Sequence, residues 1–518
     1  MLPLTVISSS VSFNVPTASP ILPASAMTTT QSKPASFSPS FSVEDWVSGY
    51  RSQPEEYSYW ITNVDGEIPI ELEGTLFRNG PGLLDVFGHE VKHPFDGDGM
   101  VSSIAFQQGK AYYRNRYVRT AGYVAEQTEK KPLYRGVFGT QKPGGPLANA
   151  FDLKLKNIAN THIVYWGDKL LALWEAAEPH RLHPTTLDTV GLDYLNGALQ
   201  PGGAFTAHPK VDPGHHGGQP RLVGFSLKAG LSSKITLCEF DQSGDLVIQH
   251  SHTVPGFAFL HDFAITPNYA IFFQNPVNFG PIPYLLGLKG AAECISFNPK
   301  EPTRVIVIPR NGQDPMRVIE TDPCFVFHHA NAFEQDGQVV VDSICYDRFP
   351  TLEGASDYKT VDFDTVPVGQ LWRFTLNLEH ETAQVSTLLS RCVEFPTLHP
   401  EIVGLSHRYL YMGAAHNPHG NAPLQALLKW DAETQNTTLW SAAPRGFMGE
   451  PVFVPRPQGQ SEDDGWVLVL IYNAERRCSD VVILDAQDIA AGPVARLKLA
   501  HHVPYGLHGS FVPQYFGP

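Results

Sequence analysis

The sequence predicts an all-β chain closed into a β-propeller of about seven four-stranded blades. Three observations predict it: short apolar runs recur between turn residues from about residue 43 onward, helical periodicity is scarce, and Gly and Pro are abundant. The 518 residues include 44 Gly and 43 Pro. That is about a sixth of the chain, above the usual share yet below the level of low-complexity disorder. Hydrophobic residues at 42% and aromatic residues at 11% allow a large core.

The strands come in hairpins. Residues 163–166 and 169–174 flank Gly167-Asp168. Residues 339–341 follow Asp336-Gly337-Gln338, and 466–472 follow Asp463-Asp464-Gly465. Each reads as strand, tight turn, strand. Strong helical periodicity is scarce, and 43–53 and 486–490 are the better helix candidates. Roughly 475 residues are too many for one sandwich, whereas a propeller absorbs them at about 68 per blade. No sequence repeat marks the blades.

Residues 1–42 stand apart. They are rich in Ser, Thr and Pro with one charge, Lys33, and are expected to form a disordered leader. Met27 is the alternative start. A secretory signal is a second reading on Ala24-Ser25-Ala26, weakened because no basic residue precedes it. Residues 43–518 are expected to form a single propeller domain.

Several function classes are excluded. With 37 Lys+Arg against 52 Asp+Glu, the net charge is −15, which argues against nucleic acid as a partner. Six Cys without a C-x-x-C pair read as reduced thiols in a cytoplasmic protein, not a disulfide scaffold or zinc ribbon. There is no phosphate-binding P-loop, no H-E-x-x-H and no G-x-S-x-G. DGDG (96–99) is expected to be a tight turn, since a calcium loop would not place Val101 and Gln107 at its sixth and twelfth positions. No obligate protein partner is evident.

No transmembrane helix is expected. The longest uncharged stretch, 263–288, is broken by Pro267, Pro276, Pro281 and Pro283. Its end, with Tyr284, Leu285, Leu286 and Leu288, reads as an apolar loop that dips into a membrane surface. A core strand and turn is the plainer alternative.

The chain holds 21 His. Four stand in apolar segments: His208 in FTAHP (205–209), His261 in FAFLHDF (257–263), His328 in CFVFHHAN (324–331) and His508 in VPYGLHG (503–509). At strand period, Phe257, Phe259, His261 and Phe263 share a face. Alternation admits only one of His328 and His329 inward. Satisfied structural histidines are the plainer alternative. The separations match no local metal motif, so only an architecture that gathers distant strands at an axis would unite them.

These segments, with GTLFRNGPG (74–82), HPFDGDGM (93–100) and GEPVFVP (449–455), resemble the carotenoid cleavage oxygenases from about Val43 to the C-terminus. The resemblance implies a seven-bladed propeller capped by loops and short helices, with four axial histidines holding Fe(2+). It implies His208, His261, His328 and His508 as the ligands, choosing His328 over His329. Imidazole suits Fe(II). Implied carboxylates behind the ligands are Glu175, Glu394 and Glu450, each fixing a ring by accepting its outer N–H. His208 is left without one.

The resemblance further implies that Thr161 shields an open position at the metal. Trp174, Phe259, Phe327, Tyr346 and Phe395 would line an apolar tunnel, with ordinary core packing as the alternative. The implied reaction consumes O2 and cleaves a conjugated double bond of a long apolar apocarotenoid. The expected bond is 15,15′ of β-apo-8′-carotenal or its alcohol, giving retinal. Alternatives are the 9,10 bond of intact carotenoids, stilbenes, retinyl ester isomerisation, or a non-catalytic apocarotenoid carrier.

Overall fold

The computed structural model describes residues 40–350 and 358–518. Seven antiparallel sheets, each with four or more strands, form a ring of blades. Six contribute an axial strand in chain order: His162–Trp166, Lys210–Asp212, Ala264–Ile265, Phe325–Gln335, Val393–Thr397 and Gly446–Pro455. In the seventh the axial strand is the C-terminal Gly509–Val512, which pairs with Gly74–Arg78. The ring is therefore closed by both ends of the propeller. Val64–Gly66 is the outermost strand of the sheet that contains Pro493–Lys498.

The turn residues act as expected. Gly167 and Asp168 (φ 55° and 56°) and Asp336 and Gly337 (φ 50° and 74°) hold the left-handed backbone of type I′ hairpins. Within a blade the middle strands are buried on both faces, because blades stack face to face. Every residue from 465 to 472 is buried. Outermost strands such as Leu246–Pro255 alternate exposed and half-buried positions instead. All six cysteines are free thiols, five of them buried. Among the described residues no helix is long and apolar enough to cross a membrane.

The structure departs from expectation at five local points. The first helix spans only Val43–Val47, because the chain must bend where Gly49 lies against the Tyr505 ring, with no room for a Cβ. Residues 486–490 give a single 3-10 turn, Ile489–Ala491. The longest helix, Ala121–Glu129, was not foreseen; the Thr120 side chain caps it. Asp96 and Asp98 do not make a tight turn. Asp96 ends a 3-10 turn and accepts from Phe138 N–H and Thr140, while Asp98 starts a strand and pairs with Lys156. Residues 257–263 form a loop, so their side chains do not share a strand face.

The expected leader falls outside the described residues except at its end. There Phe41 packs on Phe363 and Ser42 caps the first helix.

The closing strand lies over Phe77, which is fully buried and meets Phe516 at 5.9 Å between ring centroids. Phe77→Ala is expected to cost about 3–5 kcal/mol, read from urea unfolding. A loss below about 1 kcal/mol would show that this seam contributes little.

Candidate metal centre

Three of the four expected histidines stand just before an axial strand. His208 stands two residues before Lys210–Asp212, and His261 three before Ala264–Ile265. His508 immediately precedes Gly509–Val512. His328 lies within Phe325–Gln335, where the ladder register shifts between Val326 and His329. That irregularity lets His328 reach the axis while His329 bonds Ser343 Oγ at 2.8 Å.

One ring nitrogen from each of His208, His261, His328 and His508 lies within 4.8 Å of the others. The Nε2 atoms of His208 and His261 face each other at 3.0 Å. Behind them three carboxylates hold the outer nitrogens. Nδ1 of His261 lies 3.1 Å from Glu175, that of His328 2.6 Å from Glu394, and that of His508 2.8 Å from Glu450. Each Nδ1–H donates to its carboxylate, so each Nε2 presents a lone pair to the centre. No carboxylate stands behind His208.

Electrostatics agree with this tautomer. Burial pulls His208 well below the usual histidine range and His508 to about 4, so both are neutral at pH 7. Burial would raise the carboxylates, but the facing imidazoles outweigh it. Glu175 and Glu394 are held below their ordinary value, and Glu450 falls to about 2 with added help from Arg78. Burial also pulls on His328, but Glu394 more than offsets it and raises the value.

This donor set fits a metal ion. Four imidazoles converge, His208 and His508 buried and His261 and His328 half-buried, and His328 Nε2 is buried with no hydrogen-bond partner. Facing lone pairs repel unless a cation lies between them, and imidazole is a preferred ligand of transition metals such as iron, copper and zinc.

The remaining expected residues gather here too. A cavity of about 410 Å³ is lined by His261, His328, His508, Thr161, Glu175 and Glu394, and by the aromatic side chains of Trp174, Phe259, Phe327, Tyr346 and Phe395. Thr161 Oγ donates to Asn160 Oδ1 at 3.2 Å, and its carbonyl accepts the His508 N–H. Tyr346 does more than line the wall, because its hydroxyl donates to Glu394 Oε1 at 2.7 Å. Phe395 has φ 54°, costly for a bulky residue. Its N–H reaches Glu394 Oε2 at 2.6 Å and its ring lies against His328 and His508.

Two contributors escaped the sequence. His162 is a fifth imidazole, 5.8 Å from His208 between ring centroids. Its nitrogens face the carbonyls of Ala207 (2.8 Å) and Gly509 (3.3 Å), so it frames the site without pointing into it. Arg78 binds Glu450 at 2.5 Å and the Leu507 carbonyl at 3.0 Å. A charged residue inside the apolar run of GTLFRNGPG was the available signal.

The apolar tip is only half as expected. Leu286 and Leu288 are exposed, but Tyr284 is buried and Leu285 half-buried. The Tyr284 ring lies under the Arg135 guanidinium at 4.4 Å, which turns it inward. The exposed partners come from elsewhere: Leu147 at 95% and Phe151 at 74%. Phe151 N–H bonds the Leu285 carbonyl, joining both segments into one apolar surface with Ile282.

A seven-bladed propeller with four axial imidazoles defines a metal-dependent propeller enzyme. The sequence profile described as Retinal pigment epithelial membrane protein matches residues 50–513. The chain is 54% identical over 475 residues to apocarotenoid-15,15′-oxygenase of Synechocystis sp., covering 91% of this chain and 97% of that one. A solved cobalt-substituted Synechocystis apocarotenoid oxygenase superposes with a TM-score of 0.90, covering 92% of this chain and 100% of that one. Lignostilbene-alpha,beta-dioxygenase isozyme III of Sphingomonas paucimobilis is 29% identical, over 86% of this chain and 92% of that one. The chain belongs to this family of metal-dependent carotenoid cleavage oxygenases.

Two substitutions test the centre. His261→Ala is expected to abolish stoichiometric metal uptake. Glu394→Gln should weaken it by about 10–100-fold by loosening the His328 ring. Metal analysis after dialysis against a graded chelator reads both, and unchanged uptake by His261→Ala would remove that residue from the ligand set.

Proposed function

We propose that the chain is an iron(II) dioxygenase that cleaves the 15,15′ double bond of an apocarotenoid such as β-apo-8′-carotenal or its alcohol, releasing retinal. One observation carries the reading: four converging imidazoles, three of them in the wall of an apolar aromatic cavity, in a chain that matches nearly all of a relative named apocarotenoid-15,15′-oxygenase. One C=C bond and one O2 become two C=O groups, so no external reductant is consumed.

His208, His261, His328 and His508 hold the iron. When bound, iron(II) supplies the activation of O2 towards an electron-rich polyene. Glu175, Glu394 and Glu450 keep the Nδ1 protons in place and the four Nε2 lone pairs aimed inward. Thr161 places a small side chain beside the ligands and limits what can approach there. Trp174, Phe259, Phe327, Tyr346 and Phe395 exclude water and fix which double bond lies at the metal.

The surface of Leu147, Phe151, Ile282, Leu286 and Leu288 docks on a lipid bilayer, where such a substrate dissolves. With a net charge of −15, docking is apolar and gains nothing from anionic lipid.

The reaction test is direct. Iron(II)-loaded protein with β-apo-8′-carotenal in air should yield retinal by chromatography. A longer or shorter aldehyde would overturn the bond assignment, and stoichiometric binding without turnover would favour a carrier. For docking, the Phe151→Asp, Leu286→Asp double variant should lose about 10-fold or more of its partition onto neutral liposomes. Unchanged partition would refute the surface.

A further inference from the structure

A carboxylate outside the ligand and Glu set joins three of the four imidazole segments. Asp262 follows His261 directly, and its side chain is 2% exposed. Its Oδ1 lies 2.8 Å from Lys210 Nζ and accepts the Phe263 N–H at 2.8 Å. Its Oδ2 accepts the His329 N–H at 2.9 Å. Lys210 stands two residues after His208, and His329 one after His328. Segments 208–210, 261–262 and 328–329 lead into or lie in the axial strands of three different sheets, and they meet at one side chain.

Sheet pairing fixes these segments only in part: Lys210 pairs with Val223 and His329 with Ser343, whereas His208, His261 and His328 have no ladder partner. His208 and His261 lie in loops ahead of short axial strands of three and two residues. At His328 the ladder is irregular. A ligand set needs placement to a fraction of an ångström, so some other tie must set the spacing. The fourth segment has its own: Asn79 N–H bonds the His508 carbonyl, and the His508 N–H bonds the Thr161 carbonyl.

We propose that Asp262, with Lys210 as its counter-charge, is a positioning residue that sets the spacing of His208, His261 and His328. It thereby sets metal affinity and ligand field. The proposal rests on the four-imidazole centre described above. Asp262 touches neither substrate nor metal and acts only through the backbones and the Lys210 side chain that it ties.

Cobalt(II) is the probe, because its visible bands report ligand geometry apart from any turnover. Metal-free full-length protein is titrated with Co2+. Asp262→Ala is expected to raise the Kd about 10–100-fold and to change the visible bands. Asp262→Asn, which keeps an acceptor for the His329 N–H, should fall between it and wild type. Asp480→Asn is the control, since Asp480 is buried and paired with Arg476 and Arg496 on a strand away from the axis. It should lower Tm and leave the Kd and bands unchanged.

Wild-type Kd and bands in Asp262→Ala would overturn the proposal. If that variant does not fold, Lys210→Met decides: a raised Kd with altered bands supports it, and unchanged values overturn it. Failure of the wild type to take up one Co2+ would overturn the metal centre itself, and this proposal with it.

Discussion

The structure depends on one closure. The strand Gly509–Val512 must pair with Gly74–Arg78 for the ring of sheets to be complete, and His508 is the residue just before it. The same pairing that gives the seventh sheet its axial strand also delivers the fourth imidazole. Arg78 makes the link explicit. It sits in the strand that receives the closure and binds both Glu450, behind His508, and the Leu507 carbonyl. Stability and chemistry share these atoms.

Around that seam, buried charge is tolerated only because each group is answered. Glu175, Glu394 and Glu450 face imidazole N–H groups, and Glu450 also faces Arg78. Desolvation would otherwise make each of them costly. The arrangement puts negative charge one layer out, where each carboxylate accepts an Nδ1–H and leaves the Nε2 lone pair facing the centre. Phe395 shows the local cost of this geometry. It adopts a left-handed backbone that places its N–H on Glu394 and its ring on two imidazoles at once.

Legibility in the sequence followed the range of the interaction. Hairpins at Gly167-Asp168 and Asp336-Gly337 were legible because a left-handed turn is a local event. Blade boundaries were not, because middle strands such as Gly465–Asn473 are buried on both faces and show no alternation. The loop at 257–263 was misread for a related reason: its aromatic residues mimic strand period while serving different neighbours. The four histidines lie in segments that look apolar, but only resemblance singled them out, since tertiary closure is what unites them. Tyr284 was misplaced because Arg135, remote in sequence, turns its ring inward. Leu147 and Phe151 were missed because only folding sets them beside Leu286.

The order of the axial strands along the chain gives the centre a history. Three of the imidazoles, at 208, 261 and 328, come well before the closing strand in the chain. The last ligand arrives only with the closing strand. Without that strand the chain holds three of the four imidazoles but not the finished set. The four-imidazole set is thus complete only where that strand is paired, so an open ring and a finished centre exclude each other.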